Sequence, residues 1–170
     1  MAEIVASVNT KELDRLFAEL QARGINLRPA LVAIQQEIMD DTEETFEQEG
    51  RPKWPALSPV TERARAKKGK SGKMLQVSGQ LAASIQSGAA NKIGPNFVTV
   101  GTNVPYAPHL QYGTEQKVTK KQRMWMGMNL GLWPRVGQTI TNPPRPFLDI
   151  RPEVVKTAEE ILADHLAGRL

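Results

Sequence analysis

One amphipathic stretch constrains this chain more than any other. Between Pro29 and Gly50, the residues Leu31, Ile34, Ile38, Thr42, Thr45 and Phe46 recur along one side at helical spacing. The opposite side carries Glu37, Asp40, Asp41, Glu43, Glu44, Glu47 and Glu49. Pro29 suits the first turn of a helix, and Gly50 and Pro52 suit its end. A helix divided in this way must rest on a core by its apolar stripe and show its acids outward.

The remaining pattern is read around that helix. Ile4, Ala6 and Val8 alternate like a short strand, and Asn9 with Glu12 resembles a capping box. Leu13, Leu16, Phe17 and Leu20 then predict a helix over 10–22, stopped at Gly24. Ser58-Pro59 predicts an N-cap for a short helix over 59–67. Ser78 to Leu81 reads as a brief helical turn, followed by a β-hairpin of 84–90 and 97–101 around Gly94-Pro95-Asn96. Tyr106 to Gly113 makes a short turn or helix. Pro152 opens a last helix whose Val155, Ala158, Ile161, Leu162 and Leu166 are expected to face the core, with Gly168 ending it. The fold class expected is α+β, a small antiparallel sheet or hairpin packed against two or three helices.

Two segments stand outside this scheme. Pro52, Pro55 and Pro59 fix the backbone around Trp54 and Leu57, which are too apolar to stay solvated and are expected to plug the core. Residues 114–142 show no clear period and are expected to form a long extended arm, or a β-hairpin that finds its order against a neighbour. Alternation of Met124, Met126 and Met128 against Trp125, Gly127 and Asn129 reads there as a strand with a methionine face. With Trp133, these side chains make the arm an expected contact for a neighbouring subunit or partner.

Length and composition fit a single domain, 1–170, in which 40% of residues are hydrophobic. With no Cys, a disulfide scaffold and a thiolate metal site are excluded. No apolar run approaches the roughly 20 residues that span a bilayer, so no membrane partner is expected. Glu3 without a following apolar run does not read as a signal peptide, and the chain is expected to fold in the cytoplasm.

Charge is split along the chain. Residues 1–50 hold 4 basic and 11 acidic side chains, residues 51–148 hold 15 and 2, and residues 149–170 hold 3 and 5. The acids directly precede a basic loop over 63–73. Copies could therefore dock with Glu43, Glu44 and Glu47 of one against Arg63, Arg65, Lys67, Lys68, Lys70 and Lys73 of the next. Two other readings stay open: a basic middle that contacts nucleic acid without sequence preference, and two solvated faces with no partner.

No catalytic constellation appears. His109 and His165 lie in different elements without metal-ligand spacing, and His165 suits the negative end of the last helix. Ser78 and Ser84 sit in no nucleophile elbow. Gly72-Lys73 is followed by Met74, so the phosphate-loop spacing is incomplete. The expectation is a non-enzyme with no cofactor and no metal.

Five motifs taken in order resemble the phage virion morphogenesis family of Mu-like phages. They are Gly50-Arg-Pro-Lys-Trp54-Pro-Ala-Leu57-Ser-Pro-Val-Thr61, Met74-Leu75-Gln-Val-Ser78-Gly79-Gln-Leu81 with Ser84-Ile85, Val98-Thr-Val-Gly101-Thr102, Tyr106-Ala107 leading to Gln111-Tyr112-Gly113, and Pro144-Arg145-Pro146-Phe147-Leu148. The resemblance covers roughly 45–166. Leu110 stands where the family commonly has His, and 114–142 matches no family motif. The resemblance implies a structural protein that completes or terminates the tail and joins it to the head. It further implies a homo-oligomeric ring, expected to be a hexamer, in the virion neck or tail. The implied partners are the tail tube protein and a head-side connector or stopper, after a host-cytoplasmic stage. A nucleic-acid-binding accessory protein of the neck is the alternative.

Overall fold

The computed structural model describes residues 4–6, 15, 18, 20, 26–67, 69, 72–88 and 90–168. Arg15, Ala18 and Leu20 are helical. The rest of the helix expected over 10–22, with its Asn9 cap and Gly24 stop, lies outside the described residues, as do Lys68 and Lys70.

Helix α1 (Arg28–Glu47) carries the fold, with Pro29 in its first turn. Ala30, Leu31, Ile34, Ile38, Thr42, Thr45 and Phe46 are buried along its expected face. The two threonines can be buried because each hydroxyl donates to a carbonyl four residues back, Thr42 to Ile38 at 2.8 Å and Thr45 to Asp41 at 2.9 Å. One acid departs from the expected outward face. Asp41 is buried, because Arg51 and Arg151 both reach its carboxylate.

A three-stranded antiparallel sheet, ordered β1-β3-β2, packs against α1. β1 (Ile4–Ala6) pairs with one edge of β3 (Val98–Thr102), Ile4 opposite Thr102, and β2 (Lys92–Ile93) pairs with the other edge. The Gly94 to Phe97 turn closes as expected, with the Gly94 N–H donating to the Phe97 carbonyl at 2.8 Å. The expected strand over 84–90 is corrected. Gln80–Gln86 is helix α3, because Leu81 and Ile85 stand four residues apart and fill the core side by side.

Helix α2 (Pro59–Lys67) starts where expected, the Ser58 hydroxyl accepting from the Thr61 N–H at 3.3 Å. The short α4 (Ala107–Gln111) follows β3. The last helix, α6 (Pro152–Leu166), lies on α1 with Val154, Ala158 and Leu162 buried. That register replaces part of the expected one: Val155 is only half-buried and Leu166 is exposed. His165 Nε2 bonds the Asn26 carbonyl at 2.7 Å, tying the end of α6 to the start of α1.

Of the two conformations expected for 114–142, the extended arm and the strand read through its methionines are corrected, and the β-hairpin is the one formed. β4 (Thr114–Lys117) and β5 (Thr139–Asn142) pair antiparallel, Thr114 opposite Asn142, and helix α5 (Lys120–Leu130) fills the connection. Thr119 decides the matter locally. Its hydroxyl accepts from the Gln122 N–H at 3.2 Å while the Gln122 side chain accepts from the Thr119 N–H at 2.9 Å, a reciprocal capping box. Lys, Gln, Arg and Met are good helix formers, so the methionines fall on a helix and not on a strand face.

Candidate assembly surface

The motifs that contain Trp54, Met74 and Gln111 meet at the motif over 144–148, a strap in which Arg145, Phe147 and Leu148 are buried. Residues 145–148 cross the core between the Trp54 loop and α4. Gln111 clamps them: its amide donates to the Leu148 carbonyl at 2.8 Å, and its oxygen accepts from the Phe147 and Leu148 N–H groups at 2.9 and 3.1 Å. On the other side, the Trp54 indole N–H donates to the Pro146 carbonyl at 2.7 Å. Trp54 and Phe147 pack on Phe46 with ring centroids 5.8 and 5.5 Å away. Trp54 is buried and Leu57 packs half-buried against the same core. Gly113 lies so close to the strap that a Cβ there would come 2.7 Å from the Asn142 carbonyl and 2.8 Å from Pro144 N.

Arg145 is buried within the strap and holds the loop carbonyls. Its guanidinium donates to Pro55 at 3.2 Å, to Ala56 at 3.3 Å and to the Asn142 side chain at 3.1 Å. Burial lowers its pKa from the usual arginine value. These are positioning contacts. A second polar knot lies at the C-terminal half of α1, where Arg51 pairs with Asp41 at 2.9 Å and Glu44 at 2.5 Å, and Arg151 also pairs with Asp41. The hydrogen bond to Asp41 raises the Arg151 pKa. Sequence reasoning missed both devices. The signals for the strap were an Arg between two prolines and a Gln before Tyr-Gly, and the knot joins residues too far apart in sequence to leave one.

The surface carries a different chemistry. α5 has no buried residue, and Met124, Trp125, Met128 and Trp133 are exposed, Met128 at 72%. Met126 turns inward by half. Val136, which the sequence reading did not single out, is also exposed. Trp133 lies against Gly127, where any Cβ would strike its ring, and the Arg123 guanidinium sits 5.4 Å from the ring centroid. An apolar groove of about 460 Å³ runs between α5 and the β4–β5 hairpin, lined by Val118, Trp125, Met126, Leu130 and Ile140. A second, of about 450 Å³, separates α5 from the start of α2. Lys117, Lys120 and Lys121 are exposed around the patch.

Among the described residues no ion pair joins the expected acidic and basic surfaces within one chain. Glu47 is exposed, Glu43 accepts from the Gln86 amide at 3.2 Å, and Glu44 is held by Arg51. Arg63, Lys67 and Lys73 are exposed, while Arg65 turns back onto the Gly72 and Lys73 carbonyls at 3.0 and 3.3 Å. The basic segment reaches α1 through uncharged donors: the Met74 N–H donates to Glu49 at 2.6 Å and the Gln76 amide to the Phe46 carbonyl at 2.5 Å.

Among the described residues no group of His, Cys, Asp or Glu could hold a metal ion, and no helix is long and apolar enough to cross a membrane. The model of the phage virion morphogenesis family matches residues 8–167. No curated protein and no solved structure matches the chain. The protein is thus of the phage structural or assembly class, associated with the virion. It belongs to the phage virion morphogenesis family.

Proposed function

We propose that this protein completes or terminates the phage tail and joins it to the head, acting as a ring, a hexamer, in the neck or tail after a host-cytoplasmic stage. The tail tube protein and a head-side connector or stopper would be its partners. The observation that carries the reading is the α5 lobe. It puts Met124, Trp125, Met128 and Trp133 in water on one chain, a cost that burial against another chain removes.

The test is complementation of a phage lacking this gene. A chain with Trp125→Ser and Met128→Ser should stay folded by circular dichroism yet yield heads and unfinished tails that do not join. Normal infectious particles from that variant would overturn the reading. The exposed lysines beside the patch favour a second reading, DNA contact in the neck. Filter binding across a salt series separates the two, since assembly without DNA supports the ring.

A further inference from the structure

We propose that the exposed stripe of α1 on one copy docks antiparallel on the exposed stripe of α5 on the next copy, and that this contact builds the ring. The inference rests on the ring reading above and names the surface that makes it.

On α1, Val32, Gln36, Asp40, Glu43 and Glu47 follow one another at three- and four-residue steps and are all exposed. After Arg28 the stripe carries the apolar Val32, and it is acidic at its C-terminal end. On α5, Lys120, Lys121, Met124, Trp125 and Met128 form the outward stripe, with Lys117 just before it and Trp133 and Val136 just after. This stripe is basic at its N-terminal end and apolar at its C-terminal end. The two gradients run in opposite senses, so only an antiparallel pairing sets acid against base and Val32 beside Met128. Val32 to Asp40 and Lys120 to Met128 each span about 12 Å of helix, so with Val32 beside Met128 the pairing sets Asp40 against Lys120 and carries Glu43 and Glu47 on to the Lys117 side.

Within one chain these charges are unspent. Among the described residues, the ion pairs are those of Arg51, Arg151 and Lys156, and none involves Asp40, Glu43, Glu47, Lys117, Lys120 or Lys121. Asp40 and Glu43 accept only from the Gln36 and Gln86 amides, which leaves their charge uncompensated. Each copy thus offers one stripe and receives on another. That is a heterologous contact, the kind that propagates head to tail and closes when its rotation allows. A second copy fits better than an unrelated partner because both complementary surfaces already stand on this chain.

Sedimentation velocity on the full chain tests the inference with two variants, Asp40→Lys/Glu43→Lys/Glu47→Lys and Lys117→Glu/Lys120→Glu/Lys121→Glu. Each alone should sediment as a monomer at concentrations where the native chain is assembled. Their equimolar mixture should recover the oligomer, because each variant then meets a complementary stripe on the other. The single changes Glu47→Lys and Lys121→Glu, separate and mixed, give the same comparison if a triple variant fails to fold. A native oligomer that survives both reversals would overturn this interface and leave the ring reading standing. Monomeric variants whose mixture stays monomeric would also overturn it. A native chain that is monomeric at every concentration and salt would overturn the ring reading and this contact together.

Discussion

Gln111 shows how one side chain can organise a region far from it in sequence. It satisfies two N–H groups and one carbonyl of a strap 36 and 37 residues away, in a place that water does not reach. Removing it leaves three backbone groups without partners, at roughly 1–3 kcal/mol for each buried group. Gln111→Ala should therefore lose about 3 kcal/mol of stability, read as a lower urea midpoint with little change in slope. A midpoint equal to that of the native chain would show that the strap is held by packing alone. Gln111→Glu keeps the acceptor but loses the donor and buries a charge, so it should rescue nothing. Asp41 makes the same point for charge: read as one more outward acid, it is the partner of two arginines from different segments.

At the scale of elements, α5 is the informative case. Its residues lack an apolar stripe facing the core, so hydrophobic periodicity gives no signal, and its stability must come largely from capping and from contact with α2 and the hairpin. The Thr119–Gln122 box is therefore a large share of what holds it. Thr119→Ala should cost about 1 kcal/mol, and that loss should be local. Amide exchange over 120–130 should speed up several-fold while α1 and α6 keep their protection. Equal acceleration in all three helices would mean that α5 unfolds only with the whole chain. By contrast α1 was readable from its pattern, since its stripe is long, continuous and packed against both sheet and α6.

The molecule as a whole divides its labour between a core built on α1, with α3, α6 and the three-stranded sheet, and a lobe built on the β4–β5 hairpin. The lobe buries Val118 fully and keeps Met126, Leu130, Leu132 and Ile140 half-buried, while most of its other side chains are exposed. The Val118 N–H donates to the Gln138 carbonyl and the Gly137 N–H to the Val118 carbonyl, both at 2.8 Å, which closes the hairpin beneath α5. Replacing 119–137 by Asn-Gly should leave β4 and β5 joined by a tight turn. The shortened chain should fold with a melting temperature close to that of the native chain. It should also be monomeric and fail to complete tails. Loss of the cooperative transition would show that the lobe belongs to the core, and intact oligomers would show that assembly lies elsewhere.

Local pattern in the sequence determined α1 and its buried face, the cap of α2, the proline start of α6, the Gly94 turn, the α+β class and the family motifs. Each of these rests on neighbours within about four residues, or on a word short enough to read directly. Tertiary structure alone decided that Asp41 is buried, that Gln111 and Trp54 hold one strap from opposite sides, and that 81–86 turns as a helix and does not run as a strand. It also decided the register of α6, where a shift of one position exchanges Val155 for Val154 at the core. These outcomes depend on partners between ten and 110 residues away, and only the folded chain brings those partners within bonding distance.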